Sequence, residues 1–316
     1  VPSVGVVLGA GGIVGAAYHS GVLTALAEAG FDARDAGIIV GTSAGSGLGA
    51  TLRAGFPPID LAPRAADRPI SAEAAALVGR SGGPPVIDLR PRPMSRVPLP
   101  QSPGLLRHAG RHPGKALAGM LPTGTISTDV IGERIAALYG DLVWPERPLW
   151  ICAVDLDNGD RVVFGRDDID VPVGVAVEAS SSIPGLFRPV SHAGRRYVDG
   201  GVHSPTNADL LAGGGHDLVV IVSPMSMTDP GRRALLHGPR ALHARQLARE
   251  VDRLRQSGTD VLTFQPTSAD LSAMGRNPMD AERRRPTVEA ALTTARARLA
   301  DQNVAERLAT LRAVSA

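Results

Sequence analysis

A serine stands at the apex of a sharp strand-to-helix turn in this chain. The five residues Gly41-Thr42-Ser43-Ala44-Gly45 follow the apolar run Gly37-Ile38-Ile39-Val40 and precede a small-residue stretch able to continue as a helix. Glycines two positions to either side let the backbone bend without a Cβ clash, and the bend leaves the serine oxygen exposed. Ser43 is therefore a candidate nucleophile. A similar order occurs at the start of the chain, where Val4-Gly5-Val6-Val7-Leu8 runs into Gly9-Ala10-Gly11-Gly12-Ile13-Val14-Gly15 and a helical pattern follows from Ala16. Short apolar runs alternating with helical patterns describe strands covered on both faces, so the spacing predicts an α/β fold.

The first glycine loop has its own chemistry. Backbone N–H groups in a glycine-rich turn at a helix start favour anions, so such a loop binds a phosphate or stabilises the oxyanion of ester cleavage. A dinucleotide-binding turn requires G-x-G-x-x-G. Counting from Gly9 the last position is Val14, and counting from Ala10 the first glycine is missing, which weakens the nucleotide alternative. A purely structural turn remains open at this point. A third motif, Arg195-Arg196-Tyr197-Val198-Asp199-Gly200-Gly201, delivers a carboxylate immediately before two glycines. Such a carboxylate, within reach of a serine, can act as its general base, although Asp-Gly-Gly also occurs as an ordinary turn.

Taken in order, a glycine loop after the first strand, GxSxG after the next, and Asp-Gly-Gly about 150 residues further on, the chain resembles the patatin-like phospholipase family. The segment Glu178-Ala179-Ser180-Ser181-Ser182-Ile183-Pro184-Gly185-Leu186-Phe187 is similar to a family block lying between nucleophile and aspartate. The likeness runs from Val4 to about Val222 and fades in the proline-rich middle and the C-terminal third. It implies a three-layer α/β/α sandwich with a mostly parallel central sheet, and a Ser-Asp dyad in place of a Ser-His-Asp triad. Ser43 then resembles the nucleophile and Asp199 its base. Gly11 and Gly12, with the Ile13 amide, resemble the oxyanion donors. Gly9, Gly15, Gly41, Gly45, Gly200 and Gly201 are the glycines of the three motifs. The implied activity is hydrolysis of phospholipid, lysophospholipid or other long-chain esters, with no metal and no cofactor. The alternatives are acyl transfer through the same dyad and a catalytically silent lipid-binding protein.

Two positions depart from the family pattern, Ala10 standing for a glycine and Val14 for a basic residue. Alanine still supplies an amide but requires the loop to avoid left-handed geometry there. Loss of the basic side chain removes a positive charge, which suggests a preference for neutral esters. The single cysteine, Cys152, lies in the strand-like run Leu149 to Val154 and reads as a core thiol. His203, His216, His237 and His243 all follow Asp199, as the histidine of a conventional triad follows its acid, but none has a distinctive setting. His192 reads as part of a turn before the Asp199 strand. His108 and His112 show no ligand spacing with Cys152 or neighbouring acids.

The 316 residues are expected to form one domain, with a Pro/Arg-rich insertion or lid at 56–125 and a helical region at 232–316 packed on the core. Predicted strands are Val4 to Leu8, Ile38 to Gly41, Leu149 to Val154, Arg161 to Phe164, Arg196 to Val198, Leu218 to Val222 and Asp260 to Phe264. Predicted C-terminal helices are Arg240 to Gln256 and Thr287 to Ala313, the second carrying Val288, Leu292, Ala295, Leu299, Val304, Leu308 and Leu311 as one stripe. Met274 and Met279 flank a turn and border an acyl channel or cap the core. With aromatic residues at 3%, base stacking and hence nucleic-acid binding are disfavoured. Arg53 to Lys115 carries a basic excess without an apolar wedge, so it reads as a solvated insertion before it reads as a rim for anionic lipid. No apolar run approaches the roughly 20 residues of a bilayer span, and no secretory start is evident. A cytoplasmic protein with transient contact at the inner membrane face is expected, its substrate a lipid or acyl ester, its oligomeric state open.

Overall fold

The computed structural model describes residues 2–82, 99–110, 113–228 and 238–315. Its frame is one eight-stranded sheet: β1 (Val4–Leu8), β2 (Ile38–Thr42), β3 (Leu149–Asp155), β4 (Arg161–Phe164), β5 (Val190–His192), β6 (Arg195–Asp199), β7 (Leu218–Val222) and β8 (Asp260–Phe264). The strand order is β5-β6-β3-β2-β1-β7-β8, with β4 paired to β3. From β3 to β8 the pairs are parallel, while β4, β5 and β6 run antiparallel to their neighbours. The fold is thus α/β with a mostly parallel central sheet.

The helices are α1 (Gly12–Glu28), α2 (Ala44–Arg53), α3 (Leu61–Ala65), α4 (Ala72–Ser81), α5 (Pro113–Met120), α6 (Asp129–Tyr139), α7 (Val173–Ser180), α8 (Gly238–Gln256), α9 (Ser268–Met274), α10 (Arg284–Leu299) and α11 (Ala305–Ser315). They cover both faces because the central strands β1, β2 and β7 are buried at every position. Side chains alternate across a strand, so Val4, Val6 and Leu8 of β1 join the large core with α1, α7 and α10, while Val7 joins a second core with Leu247, Val251 and Leu254 of α8. Burying one such side chain on either face contributes roughly 1.5–3 kcal/mol, which makes the doubly covered sheet the stable arrangement for these runs.

Most predicted strands coincide with observed ones, and β5 is an addition. His192 ends that strand opposite Arg195 rather than sitting in a turn. The turn is Ala193-Gly194, both with positive φ, which lets two short strands pair across a two-residue loop. α1 begins at Gly12, four residues earlier than its side-chain pattern shows. The predicted helix from Thr287 to Ala313 is two helices, because Asp301 turns to extended backbone and its carboxylate accepts the Asn303 amide, starting a new turn before α11. Met274 is buried in the core, whereas Met279 packs beside Gly12. Cys152 is fully buried, and burial pushes its thiol up to about 12.

Within 56–125, residues 83–98 and 111–112, including His112 and the Arg90-Pro93 run, lie outside the described residues, as do 229–237 with His237. The described part carries α3, α4 and α5. Lys115, the only lysine, is buried, and burial lowers its pKa. Contrary to the sequence expectation, apolar side chains do stand out here. Leu106, Leu117 and Met120 are 51%, 63% and 42% exposed. No helix among the described residues is long and apolar enough to cross a membrane.

Candidate active site

The register of β3 brings the two distant motifs together. Thr42, at the end of β2, lies opposite Cys152, and Asp199, at the end of β6, lies opposite Ala153, the next residue on β3. One residue beyond Thr42, Ser43 holds φ 54° and ψ −122°, a left-handed conformation that costs a non-glycine residue about 1–3 kcal/mol and persists only where the surroundings impose it. Three hydrogen bonds do so. The Ser43 amide donates to Ser180 Oγ at 2.9 Å, Ser180 Oγ donates to the Cys152 carbonyl at 2.7 Å, and Ser46 Oγ donates to the Ser43 carbonyl at 2.6 Å.

The Ser43 side chain lies beside the Asp199 carboxylate closely enough to hold its pKa down, and Asp199 Oδ1 accepts the Gly201 amide at 2.7 Å. Both side chains are nearly buried, Ser43 and Asp199 each being 5% exposed. Burial raises the Asp199 carboxyl from its ordinary value to about 6, against the opposing pull of Ser43 and the Gly201 amide. No histidine stands among the groups that set it. The Asp199 amide donates to the Ser182 carbonyl at 3.0 Å. The Ser180 to Ser182 stretch at the end of α7 thus anchors both Ser43 and Asp199 from one short segment.

Facing the pair is the first turn of α1. It has no capping side chain and no acidic residue, so its leading amides must find other partners. The Ala10 amide donates to the Pro205 carbonyl at 2.7 Å, Val14 to Pro278 at 3.0 Å and Gly15 to Gly11 at 2.8 Å. Among the described residues no carbonyl takes the amides of Gly11, Gly12 and Ile13. Gly12 has φ +62°, and a Cβ there would lie 2.7 Å from the Pro278 carbonyl oxygen. Ala10 is not left-handed, so the alanine fits its loop. Val14 is buried in the core and does not face the cavity. His19, which the sequence reading passed over, is fully buried on α1 and places Nε2 2.7 Å from the Gly9 carbonyl. Its burial lowers its pKa to about 4, keeping the ring neutral.

These groups share a cavity of about 350 Å³, within the size range of small-molecule sites. Gly11, Gly12, Ser43, Asp199 and Gly201 supply its polar wall, and Leu117, Leu121, Ile183, Val202 and Met225 much of its apolar wall. Ile13 is not on the wall. Of the histidines considered, only His243 among the described residues lines it, and its Nδ1 is engaged at 3.3 Å with the Met225 carbonyl. His216 pairs with Ser3, and His108 with the Asn158 carbonyl. A second cavity, about 390 Å³, is lined by Asp129, Glu178, Arg188 and His192 and contains neither Ser43 nor Asp199. Among the described residues no group of three or more His, Cys, Asp or Glu is placed to hold a metal ion. A strained serine beside a buried carboxylate, with unpaired amides across a greasy cavity, can attack a carbonyl carbon and hold the resulting oxyanion.

The family model described as patatin-like phospholipase matches residues 6–212 of the chain. Uncharacterized NTE family proteins of Mycobacterium bovis and Mycobacterium tuberculosis are 31% identical over 102 residues, covering 32% of this chain and 27% of each relative. The matched stretch thus spans about a quarter of those relatives' length. The crystal structure of VipD from Legionella pneumophila aligns with 93% of this chain and 66% of that one, at 13% identity and a TM-score of 0.42.

Proposed function

The chain belongs to the patatin-like phospholipase family, and on that premise we propose that it is a serine acyl hydrolase of lipid esters working through Ser43 and Asp199. The observation that carries this reading is the juxtaposition of Ser43 and the buried Asp199 carboxylate inside an apolar cavity walled by the Gly11 and Gly12 backbone. Asp199 takes the Ser43 proton as Oγ bonds to the ester carbonyl carbon. The oxyanion is received by the Gly11 and Gly12 amides, with Ile13 as a further donor, at the positive end of α1. Collapse breaks the bond to the leaving alcohol, which takes the proton from Asp199. Water, deprotonated by Asp199, then cleaves the acyl-enzyme and Ser43 is reprotonated. A base near pH 6 in the cavity is better matched to this work than an ordinary aspartate.

Long-chain esters fit the apolar walls, and the cavity's surroundings suit a lipid surface. Leu117 lines the cavity and is 63% exposed, Leu242 precedes the cavity residue His243 and is 62% exposed, and the described residues 113–128 around Leu117 carry no acidic side chain. The described part of residues 56–125, with α5, thus serves as a rim in this reading, and the C-terminal helices as its support.

A graded series of p-nitrophenyl acyl esters, with a fluorophosphonate probe for Ser43, tests the reading. Turnover should depend on chain length, rise when a long-chain ester is offered in anionic vesicles, and fall by about 10⁴-fold or more in Ser43→Ala. Wild-type turnover retained in Ser43→Ala, or a folded wild type that is neither active nor labelled, would reject it. Ala10→Gly is expected to leave turnover within about threefold, because its amide already bonds Pro205, and to cost about 0.4–1 kcal/mol through the unfolded chain. Steady-state kinetics and urea melts read both numbers.

A further inference from the structure

α8 packs against the second core far along the chain from every motif, yet its inward polar residues grip the loops behind the site. Arg240 donates to the Pro224 and Ser226 carbonyls, His243 meets the Met225 carbonyl, and Gln246 Nε2 donates to the His203 carbonyl at 3.1 Å. The spacing of three or four residues keeps these side chains on one helix face. Glu250, one turn on and 4% exposed, accepts three donors: Ser204 Oγ at 2.5 Å, Thr206 Oγ1 at 2.5 Å and the Ala208 amide at 2.9 Å. Ser204 Oγ itself accepts the Thr206 and Asn207 amides.

The loop so gathered touches both halves of the site. Its Pro205 carbonyl takes the Ala10 amide, in the middle of the glycine loop. Its Asn207, held left-handed at φ 53°, donates from Nδ2 to Thr42 Oγ1 at 3.1 Å, one residue before Ser43. Pro224, held by Arg240, lies against Gly11, where a Cβ would come within 3.0 Å of it.

We propose that Glu250 is a positioning residue of the active site, its buried carboxylate holding the 204–208 loop so that Pro205 and Asn207 set the oxyanion loop and the nucleophile turn at once. The kinetic part of this proposal rests on the acyl-hydrolase reading. An oxyanion donor must sit within about 2.7–3.1 Å of the charge it stabilises, and a 1 Å misplacement costs about 10²-fold. In Glu250→Gln the side chain keeps its shape but offers one acceptor oxygen to three donors and turns an NH₂ toward the remainder.

The test compares Glu250→Gln with Leu254→Ala, a buried apolar deletion on the same helix. Glu250→Gln is expected to lower kcat by about 10- to 100-fold with KM within about threefold, and to slow fluorophosphonate labelling of Ser43 in parallel. Hydrogen exchange of the Ala10 amide should accelerate at the same time. Leu254→Ala should lower Tm while leaving kcat and Ala10 exchange near wild type. The proposal is overturned if Glu250→Gln keeps kcat within twofold and leaves Ala10 exchange unchanged, or if both variants lose kcat in proportion to their loss of Tm. Should folded wild type neither hydrolyse esters nor accept the probe, the acyl-hydrolase reading falls, and Ala10 exchange alone decides whether Glu250 holds the loop.

Discussion

Asp199→Asn is expected to lose turnover by about 10³-fold or more and, at pH 8, to melt a few degrees above wild type. Both effects come from one burial. The Asp199 carboxyl is raised to about 6 from the 3.8 of an exposed aspartate, with desolvation as the main cause. A group whose folded pKa lies above its unfolded value binds its proton more tightly in the native state. Its contribution is present below about pH 4 and is lost as pH rises through about 6. At roughly 1.4 kcal/mol per unit, the ionised carboxylate costs wild type on the order of 3 kcal/mol above neutrality. Asparagine carries no charge to desolvate. Its Oδ1 can still accept the Gly201 amide and its Nδ2 can donate to Ser43 Oγ, so part of that cost is recovered while the proposed base is gone. Melts at pH 5 and pH 8 separate this from a general packing gain. The variant's advantage should fall to about half at pH 5, where the folded carboxyl is protonated but the unfolded one is still ionised, and should nearly vanish only below about pH 4. The same group predicts that wild-type kcat/KM rises about tenfold per pH unit below 6 and levels off above it. A variant that melts at or below wild type at both pH values would show that desolvation of Asp199 is not what raises it.

The parts of this fold that could be read from sequence are those written in repeated residues. Five-residue apolar runs such as Leu218–Val222 name buried strands because both faces must be covered. Ser43 and Asp199 could be singled out because the glycines around them mark turns, and the β3 register that brings them together follows from which strands pair. β5 was not legible, since Val190–His192 is three residues long and only its first is buried. Nothing in the sequence marks Leu117 and Leu242 as exposed until the helices carrying them are placed. His19, Asn207 and Glu250 are single polar residues with no local pattern. Each is explained by a partner distant along the chain or across a turn, and Glu250 meets Ser204 across 46 positions. A buried carboxylate inside an otherwise amphipathic helix is the one signal that could have drawn attention to it.

Gly45→Ala and Gly47→Ala, two residues apart on α2, are expected to move stability in opposite directions. In isolation the substitution favours a helix by about 0.5–1 kcal/mol, since glycine loses more backbone entropy on folding. At Gly47 nothing opposes that gain, because the nearest atom to an added Cβ is Val177 Cγ1 at 3.6 Å, an ordinary contact. Gly47→Ala should therefore be slightly more stable than wild type and fully active. At Gly45 the added Cβ would sit 2.0 Å from the Leu8 carbonyl oxygen and 2.4 Å from its carbon. Those are backbone atoms of β1, paired on both sides to β2 and β7, so they cannot rotate away. α2 must instead lift off the strand end, carrying Ser43 away from Asp199 and from the Ser180 hydroxyl that holds its amide. A loss of about 3 kcal/mol or more is expected in urea melts, with ester turnover below detection. A Gly45→Ala protein as stable as wild type would mean that α2 can move freely over β1. The strained φ of Ser43 would then rest on its hydrogen bonds to Ser180 and Ser46 alone.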